Sequence, residues 1–273
     1  MKIDPARPDK ATLRFYGGKY NLAPWIIEHF PTHDSYLEPF FGGGSVLCAK
    51  PPSPIETVND MDGRVVNFWL MLRTHPSRLM RAIRHTPWAR EEFIKALEIS
   101  EDSLEDARRF FVSCWMSMNG STATVPGDWR RRCEGDSPAT ETLEIDHLYV
   151  VAERMRSVQI ENRDALHVIP LYDRPNALIY ADPPYLPSLR GGHYKEDVDE
   201  DYHIKLAGVL RECLAAVVVS GYPSALYEKL YAGWTRVDKE DVAVNAGSKR
   251  TESLWLSPST IERLGRPMQA RLL

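Results

Sequence analysis

Ala177-Leu178-Ile179-Tyr180-Ala181-Asp182-Pro183-Pro184-Tyr185 is the stretch on which the reading of this chain turns. Five apolar residues in succession, with no polar alternation, predict a strand buried on both faces. Pro183 and Pro184 lack backbone N–H groups and hold φ at about −65°, so a strand cannot continue through them as an interior member of a sheet. The chain must leave the sheet at Asp182. In a mostly parallel α/β sheet, ligands bind beyond the carboxyl ends of the strands, which puts Asp182 and Tyr185 on the rim of that crevice. A rigid Pro-Pro turn presents a carbonyl in a fixed direction, and with the Asp182 carboxylate it can accept both hydrogens of an exocyclic amino group. Tyr185 adds a flat face for a base to stack on. Taken alone, the tetrapeptide also reads as a strand-terminating turn with a solvated Asp and an edge Tyr.

Upstream, Ser35 to Phe40 reads as a short strand that runs into Gly42-Gly43-Gly44-Ser45, after which Val46-Leu47-Cys48-Ala49 opens a helix. Glycines in such a turn let a ligand approach the backbone closely, and the helix start supplies N–H groups. The spacing does not satisfy the dinucleotide fingerprint G-x-G-x-x-G, and an ordinary tight βα turn has the same appearance. A second strand, Ile55 to Val58, ends in Asn59-Asp60-Met61-Asp62. An acid at the tip of the second strand is where ribose hydroxyls of a nucleoside cofactor are usually held, although Asp and Asn at a strand end also serve as helix caps.

Downstream, a helix from about Asp201 to Leu214 precedes the apolar strand Ala215 to Ser220, which makes a βαβ crossover. A short helix over Ser224 to Leu230 follows. Strands near Trp234 to Val237, Val242 to Val244 and Ser253 to Leu256 are expected to complete the sheet, with an antiparallel hairpin.

The interval between the two halves has helical texture. Helices are expected over Asp62 to Leu72, over Ala89 to Ile99 with Phe93, Ile94 and Leu97 on an apolar stripe, and over Thr142 to Met155 with Leu148, Val151 and Met155 inward. Another begins at Ser103 as cap, with Asp106 three residues on, and carries Ala107, Phe110, Phe111, Cys114, Trp115 and Met118 toward the core before Asn119-Gly120 stops it. Ser121 to Pro138 is polar and punctuated by Gly and Pro, which predicts a loop.

Length and composition fit one large α/β domain or a core with a smaller attachment: 273 residues, 43% of them apolar. No apolar run approaches the roughly 20 residues that span a bilayer, and Met1-Lys2-Ile3-Asp4-Pro5 lacks the apolar region of a signal peptide, so a cytoplasmic protein is expected. The four cysteines are widely spaced with no C-x-x-C pair, and the eight His form no H-E-x-x-H. Neither a disulfide framework nor a metal is implied.

Together these segments resemble the DNA adenine methylase (Dam) family of adenine-N6 DNA methyltransferases. Phe15-Tyr16-Gly17-Gly18-Lys19 is similar to the family's opening motif, and Glu38-Pro39-Phe40-Phe41-Gly42-Gly43-Gly44-Ser45-Val46 to its S-adenosylmethionine loop. Asp60 falls at the ribose-binding acid, and Asp164, within Glu161-Asn162-Arg163-Asp164-Ala165, at the position that contacts the cofactor adenine. Asp182-Pro183-Pro184-Tyr185 matches the catalytic motif, and Lys249-Arg250-Thr251-Glu252-Ser253-Leu254-Trp255 resembles the closing strand after a basic loop. The resemblance covers most of the chain.

The resemblance implies an α/β, Rossmann-like S-adenosylmethionine-dependent methyltransferase sheet with helices on both faces. Residues 1–65 and 156–273 would form that catalytic domain, and 66–155 a mainly helical target-recognition domain. S-adenosylmethionine is the implied cofactor and S-adenosylhomocysteine its product. The implied cofactor residues are Phe15, Tyr16, Gly18, Lys19, Glu38, Pro39, Phe40, Gly42, Gly44, Ser45, Asp60, Asp164 and Asp182; Asp182, Pro183, Pro184 and Tyr185 are the implied catalytic group. Tyr185→Phe is expected to be tolerated, because only the ring face is needed.

Double-stranded DNA is the implied partner, taken up by a monomer without metal or membrane. A net charge of −4 counts against DNA binding, so local clusters must supply the phosphate contacts. The candidates are Arg130-Arg131-Arg132 after Trp129, Lys249-Arg250, and the tail Arg263, Arg266 and Arg271. Asn119 to Arg132 would read bases, since Arg pairs with guanine and Asn with adenine in the major groove. Cytosine N4 also carries an exocyclic amine and stays open as the target, as does a cofactor- and DNA-binding protein without turnover. A side-chain amide or an RNA base is the weaker alternative. The setting is a restriction-modification system, a solitary bacterial methylase or a phage.

Overall fold

The computed structural model describes residues 8–15, 17–118, 128–185, 200–242 and 249–265. Two compact units make up the chain, the first from Met1–Pro24, Gly42–Pro52 and Asp60–Asn162, the second from Trp25–Phe41, Ser53–Asn59 and Arg163–Leu273. A short helix, α1 (Ala23–Ile27), spans the first change of unit.

The first unit is mainly helical. It holds α2 (Ser45–Ala49), α3 (Gly63–Thr74), α4 (Pro76–Arg84), α5 (Arg90–Ala96), α6 (Ser103–Met116), α7 (Pro138–Leu143), α8 (His147–Arg154) and the short strand β3 (Gln159–Glu161). The aromatic stripe of α6 is core, as its spacing requires: Phe110, Phe111, Cys114 and Trp115 are buried, and Phe68 of α3 stacks on Phe111. Among these apolar side chains Arg64 of α3 meets Asp106 of α6 at 3.1 Å, both buried, so each offsets the other's desolvation.

Several expected elements differ here. Asp102, not Ser103, caps α6, its carboxylate accepting the Glu105 N–H at 2.8 Å; a charged cap also complements the helix dipole. Met118 lies past the helix end and is exposed, since the helix stops at Met116. α5 is shorter than expected: Phe93 and Ala96 are buried against Val112 and Met116, Leu97 just past its end packs half-buried on the same cluster, and Ile94 is exposed. The single helix expected over Thr142 to Met155 is two, α7 and α8, separated where Ile145 is buried. Helix α4 was not anticipated, although Pro76 at its start and buried Leu79, Met80 and Ile83 carry a helical pattern.

The second unit contains the principal sheet strands: β1 (Ser35–Glu38), β2 (Ile55–Asn59), β4 (Ala177–Ala181), β5 (Ala216–Gly221), β6 (Thr235–Val242) and β7 (Lys249–Leu256). Within it the order is β2-β1-β4-β5-β7-β6. Strands β2, β1, β4 and β5 run parallel, and β7 is antiparallel to both β5 and β6. Every residue of β4 and β5 is buried, as their unbroken apolar runs predict. Alternation divides the strand residues between two faces. Leu37, Ile179, Val217 and Trp255 pack with α9 (Ala165–Tyr172), α10 (Glu200–Arg211) and α11 (Ala225–Leu230), whereas Tyr36 and Tyr180 face Phe30.

The expected pair of short strands near Trp234 and Val242 is one strand, β6, paired with β7 from Thr235↔Leu256 to Val242↔Lys249. Its charged middle, Asp238 to Asp241, suits an edge strand, which needs no continuous apolar face. Val244 lies outside the described residues. Helices α9 and α12 (Pro258–Arg263) were not anticipated; Asp164 and Ser257 cap them.

Candidate active site

The second unit has a topological switch point. β1 lies between β2 and β4, all three parallel, so the connections leave β1 and β4 toward opposite sides. The register Leu37↔Ile179 brings the carboxyl end of β1, Glu38, beside the end of β4, from which Asp182 follows. Strand order thus joins two segments that are far apart in sequence.

Hydroxyl groups hold the acids there. Asp182 is half-buried, and its Oδ1 accepts the Ser220 hydroxyl at 2.7 Å. The Ser220 oxygen lies 3.1 Å from the Tyr180 hydroxyl. Glu38, buried, accepts the Tyr36 hydroxyl at 2.8 Å. Tyr185 donates to Glu252 of β7, also buried, and its ring lies 4.6 Å from that of Tyr222. Burial first, and nearby carboxylates second, push the phenols of Tyr36, Tyr180 and Tyr185 well above their ordinary value. They therefore serve as donors and do not ionise near neutral pH.

Asn59 organises another part of this unit. Its amide donates to the Pro39 and Arg163 carbonyls, both at 2.9 Å, and its oxygen accepts the Arg163 N–H at 2.9 Å. The Pro39-Phe40 turn and the segment leading to Asp164 are thereby fixed to the end of β2. Asp164 caps α9 through the Leu166 N–H and also accepts the Tyr202 hydroxyl at 3.0 Å.

In the first unit the glycine turn and Asp60 form a second constellation. Gly42 and Gly44 have φ of 45° and 65°, conformations open to glycine and strained for other residues. A Cβ on Gly42 would lie 3.0 Å from the Phe15 ring. The Gly42 N–H donates to Asp60 Oδ2 at 2.8 Å, the Asp62 N–H to Oδ1 at 2.9 Å, and the Gly42 carbonyl accepts Trp69 Nε1 at 2.9 Å. Burial pushes the Asp60 carboxyl up to about 6, with the Asp62 and Gly42 N–H groups pulling the other way. Lys19 is buried and donates to the Gly17 carbonyl at 3.1 Å. Gly18 and Ser45 stand in the same unit, at the Phe15 turn and the start of α2. Gly42→Ala should lower stability by about 1–2 kcal/mol, because a side chain must accept left-handed φ as well as displace Phe15; thermal unfolding of the two proteins measures it, and an unchanged midpoint would refute the tight approach.

The basic cluster is split by burial. The chain leaves α6 and returns through a bridge between Ser117 and Trp129, with Met118 N–H to Asp128 at 2.8 Å. Arg14 donates to the Ser117 and Met118 carbonyls at 3.3 and 2.7 Å. Arg90 lies over the Trp129 ring at 4.5 Å, and the Arg130 carbonyl accepts Trp88 Nε1. Arg130 is buried, whereas Arg131 and Arg132 are exposed. Lys249 and Arg250 open β7. Tyr16, Asn119, Arg266 and Arg271 lie outside the described residues.

The sequence reading did not single out Asn59, Ser220, Glu252, Tyr222 or Arg14. Ser220 carried a usable signal, as the one hydroxyl at the end of an apolar strand.

Among the described residues, no helix is long and apolar enough to cross a membrane, and no group of three or more His, Cys, Asp and Glu is placed to hold a metal ion. A family model for D12 class N6 adenine-specific DNA methyltransferases matches residues 15–244. The chain belongs to that family. The D12-class methyltransferase is 25% identical over 193 residues to the DNA adenine methylase of Serratia marcescens, a match covering 66% of this chain and 68% of that protein. It is 33% identical over 70 residues to the DNA adenine methylase of Vibrio cholerae serotype O1, covering 26% of this chain and 25% of that protein. A solved SAM-dependent methyltransferase from Agrobacterium tumefaciens is similar at a TM-score of 0.40 and 13% identity, over 87% of this chain and 60% of that one. The D12-class methyltransferase uses S-adenosylmethionine, acts on DNA, and methylates adenine N6; cytosine N4 is not favoured.

Proposed function

We propose that Asp182 and the Pro183 carbonyl activate adenine N6, and that the glycine turn, Asp60 and Asp164 hold the cofactor. The lone pair of an adenine amino group is delocalised into the ring, which makes N6 a poor nucleophile. Acceptors for both N6 hydrogens favour a tetrahedral nitrogen whose lone pair points out of the ring. Asp182 then stabilises the positive charge that grows on that nitrogen, an electrostatic role more than an early deprotonation. The single observation that carries this reading is the placing of Asp182 at the switch point with its carboxylate held by Ser220. A carboxylate has about four lone-pair sites, so a Ser220 bond is compatible with an N6–H bond.

The residues fit S-adenosylmethionine. Left-handed glycines allow a ligand to approach the backbone, and Asp60, whose oxygens accept the Gly42 and Asp62 N–H groups, keeps acceptor capacity for ribose hydroxyls. S-adenosylmethionine supplies an electrophilic methyl group on a sulfonium. Glu38 adds negative charge suited to the amino group of its methionine part, and Asp164 an acceptor for its adenine. Phe15, Lys19, Pro39 and Phe40 complete the expected lining. Tyr185, held by Glu252 and packed on Tyr222, forms a fixed wall for the target base.

The base is inaccessible inside a duplex, so it is flipped out at a cost of a few kcal/mol, about 1–3 kcal/mol of which stacking returns. We assign residues 66–155 to target recognition, with Arg131 and Arg132 as phosphate or base contacts and Arg130 as part of the support. The protein would act as a monomer on double-stranded DNA in a bacterial cytoplasm. Incubation with labelled-methyl S-adenosylmethionine and mixed duplex DNA, followed by nucleoside digestion, should yield N6-methyladenine; label in N4-methylcytosine would overturn the assignment. Sequencing of modified bases from expressing cells would identify the site.

Asp60 makes cofactor affinity pH-dependent. Ribose hydroxyls donate to the ionised carboxylate, so binding should strengthen as pH rises through about 6 and release protons below that value. The fold responds in the opposite sense: a raised carboxyl contributes stability that is fully present below the ordinary carboxylate value and lost as pH rises through about 6. Calorimetric titration in buffers of different ionisation enthalpy measures the proton release. Equal affinity at pH 5 and pH 8, or unchanged affinity in Asp60→Ala, would remove Asp60 from the ribose site.

A further inference from the structure

We infer that Ser220 and Tyr180 are positioning residues for methyl transfer, a hydrogen-bond chain that fixes the orientation of the Asp182 carboxylate. Two distances carry the inference together with burial. Ser220 Oγ lies 2.7 Å from Asp182 Oδ1 and 3.1 Å from the Tyr180 hydroxyl, and both Ser220 and Tyr180 are fully buried, at 0% exposure. A serine hydroxyl has one hydrogen. Ser220 gives it to Asp182, so Tyr180 must donate to Ser220. The direction of the chain is therefore determined: Tyr180 O–H to Ser220, Ser220 O–H to Asp182.

The backbone holds both hydroxyls in place. Tyr180 and Ser220 lie on neighbouring parallel strands, with Tyr180↔Val218 and Ala181↔Val219 in register, and Ser220 is held on its other side by antiparallel pairing with Leu254. Residues on one face alternate, so Tyr180, Val218 and Ser220 share a face. Asp182 follows β4 directly, and a free carboxylate on a turn would sample several rotamers. One accepted bond from a rigid donor removes that freedom. The chain does not conduct protons away from the site: its far end, the Tyr180 phenol, is buried and pushed well above its ordinary value by burial and by Asp182. It orients; it does not relay.

This inference rests on the reading that Asp182 accepts the N6 hydrogens. Its test compares Ser220→Ala, Ser220→Thr, Tyr180→Phe and Asp182→Ala in single-turnover methylation of duplex DNA, alongside S-adenosylmethionine affinity. Ser220→Ala should slow single turnover about 10- to 100-fold, the usual scale for a residue that supports a reacting group, and leave cofactor affinity within about twofold. Ser220→Thr keeps the hydroxyl and suits a strand, so it should restore the rate to within about threefold. Tyr180→Phe should act in the same direction with a smaller loss. A Ser220→Ala rate within twofold of the parent would overturn the inference. So would a loss that Ser220→Thr fails to restore, or one matched by lost cofactor affinity, because either result marks a purely structural residue. If Asp182→Ala itself turns over normally, the reading of Asp182 is what falls.

Discussion

Asp182→Asn should lose roughly a thousandfold in methyl transfer while binding S-adenosylmethionine with little change. The magnitude follows from removal of one charged group aimed at developing charge, where a single such group is worth about 10²–10³ in rate. Asparagine is nearly isosteric, so shape does not explain the loss. The Ser220 hydroxyl, which meets Asp182 Oδ1 at 2.7 Å, would claim the amide oxygen and leave the amide NH2 toward the N6 hydrogens, donor against donor. Stopped reactions with excess enzyme, together with equilibrium binding of the cofactor, separate chemistry from affinity. Near-normal turnover in this variant would sink the catalytic role of Asp182.

Tyr185→Phe should be costly, contrary to the expectation from sequence that a ring face suffices. The Tyr185 hydroxyl donates to Glu252, and both residues are buried, at 6% and 4% exposure. Loss of that donor weakens the compensation of a buried carboxyl oxygen, at about 1–3 kcal/mol, and frees a ring that packs against Tyr222 at 4.6 Å. The unfolding midpoint should drop by several degrees, at about 2–4 °C per kcal/mol for a domain of this size. Target-base binding should weaken with it. Glu252→Gln added to Tyr185→Phe should recover part of the loss, since a neutral amide is cheaper to leave without its donor than a carboxylate. Additive losses in that double-mutant cycle, or a stable and active Tyr185→Phe protein, would show that the hydroxyl does no more than fill space.

Much of the candidate site's local backbone was legible because local rules govern it. Pro183-Pro184 ends a strand whatever surrounds it, and the Gly42-Gly43-Gly44 turn announces left-handed backbone, which Gly42 and Gly44 adopt. Asp60 and Asp164 follow strands in the expected places, and the stripe of α6 is core. Ile94 and Met118 were misplaced because periodicity gives a helix a face but not its ends. Arg130 shows the same limit for charge. Three consecutive arginines look alike in sequence, yet pairing of Ser117 with Trp129 turns the first inward and leaves Arg131 and Arg132 exposed.

By itself the sequence determined the fold class, the apolar strands β4 and β5, the glycine turn, and the acids that follow the strands, because each depends on backbone chemistry within a few residues. Only the tertiary structure decided which distant groups meet there: Ser220 on Asp182, Glu252 on Tyr185, Asn59 on the Pro39 and Arg163 segments. Those partners come together through strand order and register. A hydrogen bond between residues 182 and 220 exists because β4 and β5 are neighbours in register, and that adjacency arises when the whole sheet forms.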